Sequence, residues 1–293
     1  MEEEIPRINF DKSKSLGIEV VNFTQLLDAL KKTKNHDPFS VHRIEFFLIL
    51  IVTKGSYSHF VDFTFYTLSE GCALFVAKNQ IHHFTRKIQS CEGFCIIFRS
   101  LFNDNKDHFL SNILRLNRLF NYHLESPIIP QKEIGEDHFI DIATALYYEY
   151  TFSNNFAKTD ILRSLLQVLL LKAERAKEFQ SVRGIKAHWL EIFNKFKELL
   201  EREYINTRKS RVYASKLFVS YKFLNEIIRR VSGKTAKVFI DDFVTIEIKR
   251  YLVSTPLSIK EVSYKTGFEE PANMIKFFKK RTGKTPLQFR RES

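Results

Sequence analysis

Lys222–Thr235 reads KFLNEIIRRVSGKT, and fifty positions further on Ala272–Thr285 reads ANMIKFFKKRTGKT. Leu224 aligns with Met274, Ile227-Ile228 with Phe277-Phe278, Arg229-Arg230 with Lys279-Lys280, and Ser232–Thr235 with Thr282–Thr285. Apolar and basic positions agree throughout, so the stretch is a duplicated unit. Each copy carries the same punctuation. A short helix is expected over Tyr213–Phe218 and again over Ile259–Thr266. Turns follow at Phe218–Ser220 and Gly267–Glu270, and second helices then run to Gly233 and Gly283. Ser220 suits an N-cap, where its hydroxyl accepts from a free backbone N–H. Pro271 suits a first helical turn, and Gly267 a left-handed helix end. Helix, tight turn, helix is the helix-turn-helix pattern, expected at about 213–233 and 259–283. Between the copies, Phe239–Val253 predicts a linker helix. At about 1.5 Å per residue such a rod is about 22 Å long. It could hold two reading helices roughly 34 Å apart, one turn of B-DNA. The repeated G-K-T is no phosphate loop, because the glycine that loop needs five positions earlier is Ile228 in one copy and Phe278 in the other.

The charge distribution agrees with this reading. The chain has 293 residues and a net charge of +12, and Ser181–Ser293 holds 25 Lys and Arg against 12 Asp and Glu. The excess therefore sits wholly on the part with the repeat, and a polyanion is its natural partner, either nucleic acid or an anionic membrane surface. The 44% hydrophobic content, with 29 Phe, suffices for two cores, and the length suggests about two domains. Three cysteines, Cys72, Cys91 and Cys95, are too few and too clustered for a disulfide framework and read as buried thiols. The opening MEEEIPRINF has no apolar stretch and is not a signal peptide. The longest apolar run, Phe46–Val52, falls far short of the ~20 residues that span a bilayer. A cytoplasmic, nucleoid-associated protein with no membrane partner is expected.

The expected fold is α+β in two domains. Residues 1–180 form a small cupin-like β-barrel with following helices, for effector binding or dimerisation, and residues 185–293 form an all-α DNA-binding domain with a boundary near Gln180–Lys186. Short strands are read between Ile18 and Phe98: Phe46–Val52, Ser58–Phe65, Ala73–Val76 and Phe94–Phe98, at the regular spacing of a sandwich or barrel. Helical spacing follows over Phe109–Tyr122, Phe139–Tyr150 and Ile161–Phe179. The last of these carries an apolar face wide enough to serve also as a homodimer seam.

Leu257–Arg290, LSIKEVSYKTGFEEPANMIKFFKKRTGKTPLQFR, resembles the signature of the AraC/XylS family of bacterial transcription regulators. The resemblance rests on Ile259, Val262, Gly267-Phe268, Phe277–Lys280, Gly283 and Thr285-Pro286, and extends over about Trp189–Arg291. It implies that the second helix of each unit enters the major groove of double-stranded DNA, and that the chain regulates transcription as an activator, with RNA polymerase as a further partner. The first half is similar to that family's cupin-type barrel through Gly71, Gln80-Ile81-His82 and the His42–Gly55 stretch, which implies a small-molecule effector. Ala272, Asn273, Ile275 and Glu226 depart from the residues usual at those places, so the operator sequence stays open.

Six residues are candidates for base contact: Lys222, Asn225 and Glu226 on the first reading helix, and Ala272, Ile275 and Lys276 on the second. Asn pairs with adenine, Glu accepts from cytosine, Lys donates to guanine, and Ala or Ile touches a thymine methyl. Arg229, Arg230, Lys234, Lys279, Lys280 and Lys284 are the candidates for phosphate, where they add affinity without sequence information. His42, Phe46, His59, Phe63, Phe75 and His82 are candidates to line an effector pocket. Histidines 42, 59, 82 and 83 lack the ligand spacing of a metal cupin, so neither metal nor cofactor is expected and the chain is not read as an enzyme. Two rival readings remain: a metal-dependent cupin enzyme with a basic appendage, and a non-specific architectural DNA binder.

Overall fold

The computed structural model describes residues 5–10, 16–32, 37–99, 119–120, 126–130, 139–151, 156–178 and 187–292. The chain divides into two compact units, residues 7–182 and residues 183–293, with residues 1–6 belonging to the second. The boundary expected near 180–186 lies outside the described residues, as does the helix expected over 109–122 apart from Leu119 and Phe120.

In the first unit, two five-stranded sheets are built from β1 (Arg7–Ile8), β2 (Ile18–Asn22), β3 (His42–Ile44), β4 (Phe47–Lys54), β5 (Ser56–Val61), β6 (Thr64–Ser69), β7 (Ala73–Val76), β8 (Ile81–His83), β9 (Glu92–Phe98) and β10 (Ile128–Ile129). Their orders are β1-β3-β8-β5-β6 and β10-β7-β4-β9-β2. The expected barrel is not closed: among the described residues no ladder joins the edge strands of one sheet to those of the other.

The continuous apolar run at β4 follows from burial on both faces. Leu48, Leu50 and Val52 join the core shared with Ile44, Tyr57 and Leu68 of the other sheet. Ile49 and Ile51 point the opposite way, toward α2 (Phe139–Thr151) and α3 (Lys158–Glu178), whose Ala143, Leu162, Leu166 and Leu169 cover that face. A period-two strand wedged between two apolar layers has no polar side to show.

Two elements in this unit differ from the expected strands. Ser58–Phe65 is not one strand but the hairpin of β5 and β6, which turns at Asp62 and Phe63 with φ of 41° and 73°. Two-residue hairpins of type I′ have positive φ at both central residues, and a phenylalanine there hides the turn from sequence. Phe23–Lys32 is a helix, α1, opened by Asn22. The Asn22 side chain accepts from Gln25 N at 2.8 Å, and Gln25 returns the bond to Asn22 N at 3.2 Å.

The second unit is all helix: α4 (Ala187–Glu203), α5 (Ser210–Lys216), α6 (Tyr221–Ser232), α7 (Ala236–Ser254), α8 (Ile259–Lys265), α9 (Pro271–Thr282) and α10 (Pro286–Glu292). The linker helix α7 is longer than expected, because Thr235 caps it by accepting from Val238 N. It is apolar nearly all round: Phe239, Ile240, Phe243, Val244, Ile248 and Leu252 are buried. A helix of that kind is a core element with partners on several sides. Its partners include α4, whose Phe193 and Phe196 pack on Phe239, and α5, α6, α8, α9 and α10. Glu247 and Arg250, both buried, pair with each other on the same helix.

Candidate nucleic-acid interface

The two helix-turn-helix units repeat in geometry as they do in sequence. α6 starts at Ser220, whose hydroxyl accepts from Phe223 N at 3.1 Å, and stops at Gly233, left-handed at φ 71°. α9 starts with Pro271 in its first turn and stops at Gly283, left-handed at φ 77°. On α6, Leu224, Ile227 and Ile228 are buried, while Lys222, Glu226, Arg229 and Arg230 are exposed. On α9, Met274 and Phe278 are buried, and Ala272, Ile275, Lys276, Lys279 and Lys280 are exposed. Each reading helix thus anchors an apolar face and presents a basic one.

The candidate contacts fall into three groups. Lys222, Glu226, Arg229, Arg230, Ala272, Ile275, Lys276, Lys279 and Lys280 are exposed, Ile275 with 36% of its surface free. Lys234 and Lys284 are ion-paired, to Asp242 at 2.8 Å and to Glu292 respectively. Both pairs are solvent-exposed, and such pairs are worth ~0–1 kcal/mol, little against a phosphate. Asn225 stands apart. It is half-buried, and its Oδ1 accepts from the backbone N–H of Ala236 at 2.9 Å. Reading adenine takes both ends of the carboxamide, and one end is already engaged.

The second copy explains this bond. The position matching Ala236 is Pro286, which has no N–H, and the position matching Asn225 is Ile275. A polar side chain stands where a helix-opening N–H needs an acceptor, and an apolar one stands where proline has removed the donor. Thr285 caps α10 reciprocally with Gln288: Thr285 N donates to Gln288 Oε1 at 2.9 Å, and Gln288 N donates to Thr285 Oγ1 at 3.3 Å.

Three residues at this face carry no sequence signal of their own. Phe218 occupies the left-handed position of the first turn, φ 57°, with 96% of its surface exposed. Gly267 holds that place in the second turn. Asp242 on α7 accepts from both Lys234 and Arg281. Arg208, in the loop between α4 and α5, donates to the Thr266 carbonyl.

In the first unit the candidate pocket residues do not form one lining. His59 and His82 are buried with Nε2 and Nδ1 3.0 Å apart, and the His42 ring lies 4.4 Å from that of His82. Burial, then His83 and His42, pushes the His59 pKa down to about 3. Phe46 belongs to the same core, but Phe75 faces α2 and α3 on the other side of its sheet. Phe63 sits half-buried in the hairpin turn. Leu16, Ile18, Thr159, Leu162 and Arg163 border a shallow surface depression elsewhere, which has no room for even one enclosed water. Among the described residues no group of three or more His, Cys, Asp or Glu is placed to hold a metal ion, and no helix is long and apolar enough to cross a membrane.

Comparison with known proteins matches two family models in one chain. A helix-turn-helix domain model covers residues 213–292, and the AraC-like ligand binding domain model covers residues 27–104. The chain carries an AraC-like ligand-binding domain ahead of a helix-turn-helix domain. Among curated regulators, it is 32% identical over 102 residues to the Msm operon regulatory protein of Streptococcus mutans, spanning 34% of this chain and 36% of that one. It is also 32% identical over 107 residues to the HTH-type transcriptional regulator GlxA of Rhizobium meliloti, spanning 36% and 31%. The chain thus matches only about a third of the length of these curated relatives. Among solved structures it is similar to ToxT from Vibrio cholerae, with 12% identity, a TM-score of 0.44, and 93% and 97% of the two chains covered.

Proposed function

We propose that this chain is a sequence-specific DNA-binding transcription regulator of the AraC/XylS family that sets α6 and α9 into successive major grooves on one side of a duplex. The observation that carries the reading is the repeated reading helix, buried on its apolar face against the same unit and exposed on its basic face. Lys222, Glu226, Ala272, Ile275 and Lys276 meet base edges. Arg229, Arg230, Lys279 and Lys280 meet phosphates. The protein works in the bacterial cytoplasm as an activator in contact with RNA polymerase, and a small molecule held by the first unit modulates it. It is a binding protein, not an enzyme.

Dimerisation belongs to the same proposal. Among the described residues of α3 the exposed positions are Asp160, Ile161, Ser164, Val168, Leu171 and Arg175, and the last five are spaced three and four apart as in a heptad seam. Ile161, Val168 and Arg175 share one heptad position and Ser164 and Leu171 the other, a short seam with apolar residues at three of its five places. Leu162, Leu166 and Leu169 face inward, so the seam is left over for a second copy.

The test is binding of the full chain to a duplex selected from a random pool, competed with unrelated DNA. Specific binding should exceed non-specific binding by at least ~10³, and Lys276→Ala should cost about 1–3 kcal/mol of the specific term only. Equal affinity for random duplex would leave the architectural reading instead.

A further inference from the structure

We propose that Arg208 is a positioning residue for the second reading helix: it latches the second helix-turn-helix unit to the lead-in of the first, so that one chain reads two half-sites at a single fixed spacing. This rests on the DNA-reading function proposed above.

Arg208 lies between α4 and α5, just ahead of the first helix-turn-helix unit, yet its hydrogen bond and its ring contacts are with the second, while its charge also interacts with Asp241 of α7, Tyr213 and Tyr204. Its Nη2 donates to Thr266 O at 2.8 Å. Its guanidinium carbon lies 3.4 Å from the centre of the Phe268 ring and 6.0 Å from that of Phe277. Phe277 is part of α9 itself, and its ring packs on Phe268 with centres 5.4 Å apart. Thr266 ends α8, where carbonyls lack helical partners and the helix dipole is negative. A planar cation there satisfies the carbonyl with its edge and covers the aromatic ring with its face. An ammonium group has no such plane.

The backbone makes the same junction. Gly267 is left-handed at φ 76°, and a Cβ added there would overlap the Ile205 carbonyl. Side-chain-free approach is therefore required where the turn of the second unit backs onto the Tyr204–Lys209 loop. That loop is in turn fixed to the first helix-turn-helix unit. Tyr213, wholly buried in its core against Phe196 with ring centres 5.6 Å apart, donates from its hydroxyl to Thr207 O at 2.8 Å. A continuous path thus runs from the core of that unit through Thr207 and Arg208 to Phe268 and α9. Asp242 also accepts from Lys234 at the end of the first helix-turn-helix unit and from Arg281 on α9, an exposed bridge that adds little to the latch.

The consequence is a spacing rule. Inserting one base pair moves a half-site by about 3.4 Å and turns it by roughly a tenth of a revolution. A latched pair of helices cannot follow, whereas an unlatched pair can.

The test uses the full chain on a duplex selected by that chain, remade with one base pair inserted or deleted between the half-sites, and compares wild type with Arg208→Ala and Arg208→Lys. Wild type should lose about tenfold or more in affinity on either altered duplex, the loss of one helix's base contacts. Both variants should bind the parent duplex more weakly and show a spacing penalty at least fivefold smaller than that of wild type. An unchanged penalty in both variants, or a wild type that accepts all three spacings equally, overturns the latch. A wild type that selects no sequence at all refutes the DNA-reading function instead. The latch is then decided without DNA by hydrogen exchange: in Arg208→Ala the amides of Gly267–Met274 should exchange at least tenfold faster while those of α6 stay unchanged. Equal rates in wild type and variant overturn it.

Discussion

Replacing Asn225 by alanine separates two duties that one side chain could perform, holding the linker helix or reading adenine. The bond from Ala236 N to Asn225 Oδ1 is 2.9 Å long, and Ala236 is fully buried, so water cannot take the place of the lost acceptor. Leaving a buried donor unmatched costs about 1–3 kcal/mol. Alanine recovers roughly 0.6 kcal/mol through its better helix propensity, and the net loss is about 0.5–2.5 kcal/mol. The second copy of the repeat supplies the compensating change, since proline stands where Ala236 does. Adding Ala236→Pro to Asn225→Ala removes the orphan donor at a helix position that tolerates proline, and should restore most of the loss. The double-mutant cycle should give a coupling of at least about 1 kcal/mol. Urea unfolding followed by tryptophan fluorescence suits the test, because the single tryptophan, Trp189, lies in the helical unit with its ring centre 5.8 Å from that of Phe223. DNA affinity of Asn225→Ala should stay within threefold of wild type under conditions where both are folded. An unchanged unfolding midpoint together with a tenfold loss of specific DNA binding would refute the reasoning and return Asn225 to the bases.

Three further outcomes are expected. Phe218→Gly should raise the melting temperature of the helical unit, since a bulky left-handed residue costs about 1–2 kcal/mol and glycine gives back only ~0.5–1 kcal/mol of that in chain entropy; a lower melting temperature would show that the exposed ring is held by contacts it does not make in this fold. Val168→Glu with Leu171→Glu should turn a dimer into a monomer in sedimentation equilibrium without changing the far-ultraviolet circular dichroism, and a dimer that persists removes α3 as the seam. His59 is buried among His82, His42, His83 and Tyr57 with its pKa at about 3 in the folded chain, against about 6.5 unfolded. The unfolded state therefore takes up the proton first, and stability is lost as pH falls from about 6.5 toward 3, by about 2 kcal/mol at pH 5. His59→Gln should flatten that fall in an acid titration of the sheet unit; an identical acid profile would mean that other groups govern it.

How much of this was legible beforehand depended on where the physics is local. The helix-turn-helix units were readable because their signals lie within a few residues: Ser220 and Pro271 at helix starts, Gly233 and Gly283 at helix ends, and an apolar period of 3.6 between them. β4 showed itself by its unbroken apolar run. The hairpin at Asp62-Phe63 was hidden because its positive φ values are borne by residues that do not advertise them. The barrel failed to close for a reason no single segment contains, the pairing of edge strands far apart in sequence. The pocket set was split for the same kind of reason: Phe75 and His59 both look buried, and only strand register puts them on opposite faces. Arg208 and Asp242 look like ordinary surface charges until residues some forty to sixty positions away arrive beside them. Asn225 is the instructive intermediate. Its structural duty was written in the repeat, in the pairing of Asn225 with Ala236 and of Ile275 with Pro286, but it takes the observed bond to show why the two differences go together.

The most direct test of the whole account is a hydroxyl-radical footprint of the full chain on its selected duplex. Two protected patches on one face of the DNA, centred about 10 base pairs apart, are what paired reading helices require, and Lys222→Ala and Lys276→Ala should each weaken a different patch. A single patch, or uniform protection with no helical phase, would contradict the claim that α6 and α9 read the same duplex together.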